Sequence, residues 1–316
     1  MDISDRGSFF RSLRPAFLHN IRSGPFFNQS RHRMARDWFK EEYPSGYYRP
    51  TENGNDGEQA LDEVLDWGPD CLFIGGGDGT VHTLLQKDFP PTLPIRVIPL
   101  GTANVLAYNL YARRGLKPVL TEDPLVPVRI ALGLWGARTF VLMAGIGFDG
   151  RAAFLIRPKI KKILGSLGYF LAGAKAFFRW EGDKISFRCF SETGLEAQSV
   201  TILSAKWMVA SRFPVYFPPF PIKRISPAFS STLCLDIFTG ETRREFLLYL
   251  LERALFPQRP SSWGVSLSVQ QVDLATPVPG HLDGEFLLNG ESLSISSKTA
   301  TFLFSEKSLR RWSAQR

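Results

Sequence analysis

The chain has 316 residues, of which 44% are hydrophobic and 22% charged; it is longer than most single cores and too apolar for a disordered polymer, so two globular domains are expected. Its three cysteines, Cys71, Cys189 and Cys234, are odd in number and far apart, which argues against a disulfide framework or a zinc site and predicts buried thiols in a reducing compartment. The net charge of +8 is partly gathered in Arg157, Lys159, Lys161 and Lys162 and near the C-terminus in Arg310, Arg311 and Arg316; such clusters meet anionic lipid, nucleic acid or phosphorylated ligands, or form a plain solvated face.

The opening MDISDRGSFFRSLRPAF has no apolar core of signal-peptide length and no run approaches a membrane span, so a cytoplasmic location is expected. From Pro15 to Leu110 short apolar runs alternate with helix-length segments. RPAFLHN, CLFIGG and IRVIPLG predict strands; GEQALDEVLDW, with Leu61, Val64 and Leu65 on one face, and ANVLAYNLY predict helices. That order predicts an α/β domain with a parallel, doubly wound sheet. Between about residues 124 and 140 the character changes. KISFRCF, SVTILSA, STLCLDIF and SWGVSLSVQ alternate with period two and predict a mainly antiparallel β-sandwich, interrupted by the helical KIKKILGSLGYFLAGAKAFFRW. The expected boundaries are 1–133 and 134–304, with the tail 305–316 free to pack back on the first domain. No low-complexity linker separates the two, so they are expected to abut and form a cleft.

CLFIGGGDGT leading into VHTLLQ is strand, glycine turn, helix. Ligands of open α/β sheets gather at the carboxyl ends of strands, and Gly75, Gly76, Gly77 and Gly79 clear the backbone for a phosphate at the positive end of the following helix. Neither G-x-x-x-x-G-K-[ST] nor G-x-G-x-x-G is satisfied: the first lysine after the turn is Lys87, and Thr80 stands at the last glycine position. The next strand ends in IPLGTANVLAYNL, which repeats the pattern and sets Gly101, Thr102 and Asn104 at the same sheet edge, offering a hydroxyl and an amide to a nucleotide.

GGGDGT followed by PLGTAN resembles the catalytic domain shared by diacylglycerol kinases, sphingosine and ceramide kinases and bacterial soluble lipid kinases. HNIRSG (19–24) is similar to the family's N-P-x-S-G opening, AGIGFDGRAA (144–153) to its G-x-G-F-D segment, and HLDGEFL (281–287) to its late D-G-E. The resemblance runs from about residue 16 to 304. It implies a two-domain fold like that of lipid kinases and NAD kinases, ATP with Mg2+ in the cleft, and a lipid hydroxyl as acceptor. Carried over by motif position, Asn20, Ser23, Gly24, Gly76, Gly77, Asp78, Gly79, Thr80 and Thr102 would bind the nucleotide, with Thr51 a weaker match.

Phosphoryl transfer to an alcohol needs positioning, charge neutralisation and a carboxylate for the hydroxyl proton. The resemblance assigns Glu285 as general base with Asp283 as its partner, and Asp78 to magnesium and phosphate; Asp78 as base is the competing assignment. LDGEF also reads as a plain hairpin turn. Two departures stand out: relatives often have an acid where this chain has Val105, and SPAFSSTLCLDIF carries Ser230, Ser231 and Thr232 where relatives have an Asp-Gly structural magnesium site, so no metal ligand is named. The alternatives to a lipid kinase are an NAD kinase-like enzyme, which would share only the glycine motif, and a nucleotide- or lipid-binding protein that has lost catalysis.

The expected partners are a lipid substrate and an anionic membrane surface, met by Lys161 and Lys162 ahead of the apolar face of Ile163, Leu167, Phe170, Leu171, Ala174 and Phe178; packing of that helix on the sandwich is the alternative. No nucleic acid is expected and a homodimer is left open. FPVYFPPFP (213–221), whose four prolines oppose regular pairing, is either a rigid loop at a lipid entrance or core cover. His19, His32, His82 and His281 lack metal-ligand spacing, and His281 reads as structural.

Overall fold

The computed structural model describes residues 14–25, 28–52, 54–113, 115–122, 124–150, 177, 184–193, 196–217, 220–221, 229–256 and 259–313. It divides into two compact units, residues 1–130 with 298–314 and residues 131–297 with 315–316. The basic cluster and apolar face at 157–178 fall outside the described residues, apart from residue 177.

In the first unit β1 (Pro15–Asn20), α1 (Gln29–Glu42), β2 (Tyr47–Thr51), α2 (Gly54–Asp66), β3 (Cys71–Gly76), α3 (Asp78–Gln86) and β4 (Pro94–Pro99) alternate, followed by α4 (Val105–Tyr111) and α5 (Leu116–Leu120). All four strands are parallel, and β1 lies between β2 and β3 while β4 follows β3. The central strands read as near-continuous apolar runs because both faces are covered: Ala16, Phe17, Leu18, Leu72, Phe73 and Ile74 are buried. The helix α2 presents Ala60, Leu61 and Val64 to the core. The strand order 2-1-3-4 reverses direction between β1 and β3, the topological switch point at which such sheets bind ligands.

β5 (Leu125–Trp135) leads into the second unit. There β6 (Arg138–Phe140), β7 (Met143–Gly147), β8 (Ile185–Thr193), β9 (Glu196–Ala205), β10 (Trp207–Ser211), β11 (Val215–Phe217), β12 (Phe220–Pro221) and β13 (Leu233–Phe238) precede α6 (Arg243–Leu255), β14 (Gly264–Val269), β15 (Gln271–Leu282) and the long β16 (Glu285–Ser305). The strands pair in the order β14-β13-β10-β7-β15-β16, and the first half of β15 also pairs with β8, which pairs with β9. Among the described residues these strands pair antiparallel. The strands enclose one core in which Trp135, Phe140, Ile146, Phe187, Met208, Leu235 and Val272 are buried. The cysteines are free and buried; burial pushes the Cys71 thiol up to about 12 and that of Cys189 to about 11.

The prolines of 213–221 leave only a minimal antiparallel ladder, β11 with β12, whose register is irregular between Val215 and Phe217. Proline at a two-residue edge strand removes no interior hydrogen bond.

The C-terminal part of β16 returns to the first unit and pairs in parallel with β4 through Thr301 and Phe302. It is followed by α7 (Glu306–Ser313), whose Trp312 Nε1 donates to the Asn109 carbonyl at 2.9 Å while Ser305 Oγ donates to that of Tyr111 at 3.0 Å.

Candidate active site

Three loops leave the carboxyl ends of β1, β3 and β4, and the first unit draws them together. Asn20 ends β1; its Nδ2 donates to Thr80 Oγ1 at 3.1 Å across the switch point, and its Oδ1 accepts from the Arg22 amide at 3.1 Å. The Ser23 hydroxyl and Asn28 Nδ2 both donate to the Leu100 carbonyl, at 3.4 and 3.2 Å. Gly24 holds φ +76°, and a Cβ there would lie 2.5 Å from that same carbonyl. The loops of β3 and β4 pass backbone to backbone: a Cβ on Gly101 would come within 2.3 Å of Gly77 Cα. Glycine at these points therefore serves the approach of one loop to another.

Gly77 is the N-cap of α3 in extended conformation, so the positive end of that helix faces the loop cluster. Asp78 follows it, and its two carboxylate oxygens accept from the Val105 and Leu106 amides at 3.1 and 2.9 Å. These are the first amides of α4, whose own cap residue, Asn104, supplies no side-chain cap. Asn104 instead sits at φ 51°, clasping Gly101 through N–H and C=O bonds of 2.8 and 2.9 Å. Asp78 thus braces one predicted loop against the other. Gly76 accepts the Leu100 and Gly101 amides, the Gly79 carbonyl accepts from Thr83, and Thr51 is buried at the end of β2, where its carbonyl receives the Ile21 amide. Thr102 lies half-buried in the β4 loop. Asn20, Ser23, Gly24, Gly76 to Thr80, Thr102 and Asn104 therefore share one sheet edge; Thr51 adjoins it through β2.

Sequence reasoning missed a histidine chain beneath the first loop. His19 Nδ1 lies 2.9 Å from the Tyr48 hydroxyl, its Nε2 2.8 Å from His32 Nδ1, and His32 Nε2 3.0 Å from the Ser23 carbonyl. A carbonyl only accepts, so His32 Nε2 carries a hydrogen; neutral His32 then accepts from His19 Nε2–H, and His19 accepts from the Tyr48 hydroxyl. Burial, with the charges of His32 and Arg36, lowers His19 to about 3, and burial also lowers His32. The separation of the two histidines by thirteen positions gave no sign of this contact, which depends on the packing of α1 against β1.

In the second unit Asp283 and Gly284 form the turn between β15 and β16, both with positive φ, as in a type I′ hairpin. Asp283 Oδ1 accepts the Leu142 and Met143 amides at 2.8 and 2.9 Å and Oδ2 that of Val141 at 2.8 Å. This acid is a brace that fixes the turn. Glu285 is exposed at the first position of β16. His281 is buried and accepts the Gly284 amide at 3.2 Å on Nδ1. Its Nε2 lies 3.8 Å from Oδ2 of buried Asp149 in GFDG, an oxygen with no hydrogen-bond partner among the described residues. Tyr216 bonds to the same carboxylate, and burial, then the Asp149 charge, pushes its phenol far up.

Two metal questions can be put to these residues. Among the described residues no group of three or more His, Cys, Asp or Glu could hold an ion; proteins commonly bind Mg2+ together with nucleotide phosphates. The structural magnesium site of relatives does not fit. Buried Arg212 donates to the carbonyls of Ala131 at 3.1 Å, Ser230 at 3.0 Å and Thr232. A guanidinium sits among the carbonyls of the stretch where the resemblance implies a metal, and burial lowers it to about 10.

Residues 14–123 match the family model of the diacylglycerol kinase catalytic domain. A protein from Pseudomonas fluorescens named "Probable lipid kinase YegS-like" is 32% identical over 158 residues, 44% of this chain and 52% of that protein. One of the same name from Alcanivorax borkumensis is 29% identical over 178 residues, 49% of this chain and 57% of its own length. The chain spans about half the length of these curated relatives. The crystal structure of a diacylglycerol kinase from Bacillus anthracis shares the fold at TM-score 0.68 and 15% identity, covering 94% of this chain and 99% of its own. Over residues 14–123 the chain is therefore similar to the diacylglycerol kinase catalytic domain, and over 94% of its length it shares the fold of that solved structure.

Proposed function

We propose that the protein is an ATP-dependent lipid kinase that transfers the γ-phosphate to the hydroxyl of a diacylglycerol-like or sphingoid lipid. The observation that carries this reading is the convergence of three phosphate-type loops at the switch point of a parallel sheet, on the N-terminus of α3. In it, the backbone of Gly76 to Thr80 and the side chains of Asn20, Ser23 and Thr102 hold the nucleotide, and Asp78 keeps the β3 and β4 loops in register. Mg2+ arriving with the nucleotide supplies neutralisation of phosphate charge. Exposed Glu285 takes the lipid hydroxyl proton as the oxygen bonds to the γ-phosphorus, and the bond from that phosphorus to the bridging oxygen breaks to release ADP. Asp283 positions Glu285 through the hairpin turn.

Purified protein with labelled ATP, Mg2+ and a panel of dispersed lipids tests the reading, with NAD as an alternative acceptor. Label in a lipid supports it; label in NAD with none in lipid moves the chain to an NAD kinase-like activity. A second reading, a binding protein without catalysis, draws on buried Val105 and on Asp78, whose two oxygens each take a backbone amide. ATP binding in calorimetry with no turnover on any lipid or divalent ion would favour it.

A further inference from the structure

The helix α6 carries apolar side chains on two opposite faces. Phe246, Tyr249 and Arg253 turn inward and are buried. At 100° per residue, Arg244, Leu247, Leu248, Leu251 and Leu255 fall within about 100° of the opposite side. There Leu247 is 51% exposed, Leu251 54%, Leu255 58% and the following Phe256 46%. A contiguous leucine stripe of this kind on a water-facing surface marks an interaction site.

The charges around the stripe identify what covers it. Arg243 and Arg244 stand exposed at one end, in the first turn, where cations oppose the helix dipole. At the other end Arg259 lies over the exposed Phe256 ring at 4.4 Å. Three nearby acids also have partners: Glu245 closes the capping box with Thr242, Glu241 lies 2.5 Å from Lys206, and Glu252 accepts from Ser261 at 2.6 Å. A second copy laid antiparallel on the stripe would set Arg243 and Arg244 against Arg259 with no acid between them. An anionic bilayer offers hydrocarbon to the leucines and phosphates to both arginine ends.

We infer that the outer face of α6 is a membrane-docking surface, with Leu247, Leu251 and Leu255 entering the interface of an anionic bilayer and Arg243, Arg244 and Arg259 meeting lipid phosphates. Thirteen residues make a helix of about 20 Å, which lies in the membrane plane and does not cross it. This surface stands apart from the catalytic reading and is tested without nucleotide or acceptor.

The full chain is sedimented with phosphatidylcholine vesicles with and without phosphatidylglycerol. Binding is expected only when phosphatidylglycerol is present. Leu247→Ser with Leu251→Ser should lower the partition coefficient by about tenfold or more. Arg243→Gln with Arg244→Gln should lower it by about fivefold per residue, with the loss shrinking at high salt. All four positions are exposed, so unchanged melting temperatures are expected and are measured alongside. Wild-type affinity in the leucine variant overturns the inference. So does a wild-type dimer in light scattering that Leu251→Glu dissociates while vesicle binding persists.

Discussion

Asp78, Asp283 and Glu285 are all motif acids, yet they are built differently. Asp78 and Asp283 direct their oxygens at backbone amides, whereas Glu285 is exposed. Glu285→Gln should therefore lower turnover by about 100-fold while leaving the melting temperature and ATP affinity nearly unchanged. Asp283→Asn turns an acceptor into a donor facing a backbone N–H, which should cost about 1–3 kcal/mol of stability in chemical denaturation and reduce turnover through the displaced turn. Near-normal phosphorylation by Glu285→Gln would remove it from the base role. His19 offers a pH test. Its folded pKa, near 3, lies below the ordinary 6.5, so below about pH 6.5 the unfolded chain binds a proton that the fold refuses. Its contribution to stability is complete above that pH and is lost as pH falls toward 3, at up to about 1.4 kcal/mol per pH unit. Melting curves across this range should be steeper for wild type than for His19→Gln, which cannot titrate.

At the scale of elements, what could be read from the sequence followed the strength of the period. The strands CLFIGG and IRVIPLG and the helix around Leu61 and Val64 were legible because their apolar positions lie on both faces or on one face alone. The helix α6 was not, since leucines at 247, 248, 250 and 251 around buried Phe246 and Tyr249 leave no polar side to set its period. Neither was α1, whose sequence QSRHRMARDWFKEE is largely polar and buries only Ala35 and Phe39. The glycine loops were legible as a group, but their bracing was not: the Asp78 bonds to α4 and the histidine chain join residues far apart in sequence. Arg212 is the clearest loss, because nothing in its local sequence marks it as the cation held by the carbonyls of 131, 230 and 232. Arg212→Met should leave those carbonyls unmatched and lower stability by several kcal/mol. Added Mg2+ should not restore it, and a chelator should leave the wild-type melting temperature unchanged.

The whole molecule is discontinuous in sequence, since the first unit needs residues 298–314 to close it. Removal of α7 strips the Trp312 and Ser308 bonds from the Asn109 carbonyl of α4, the helix that Asp78 caps. A chain ending at Ser305 should therefore lose stability in the first unit and bind ATP more weakly, measured by denaturation and calorimetry; unchanged ATP affinity would separate the tail from the nucleotide loops.

The parallel pairing of β16 with β4 also has a meaning in time. A ribosome delivers β4 well before Thr301, and the chain between them must be made before β4 gains its second neighbour. Throughout that interval the nascent sheet presents Ile95, Val97 and Ile98 along an open strand edge, the kind of template on which unfinished chains join one another. The stretch that carries Thr301 ends this exposure, so slowed translation between β4 and Thr301 should raise aggregation more than slowing ahead of β4.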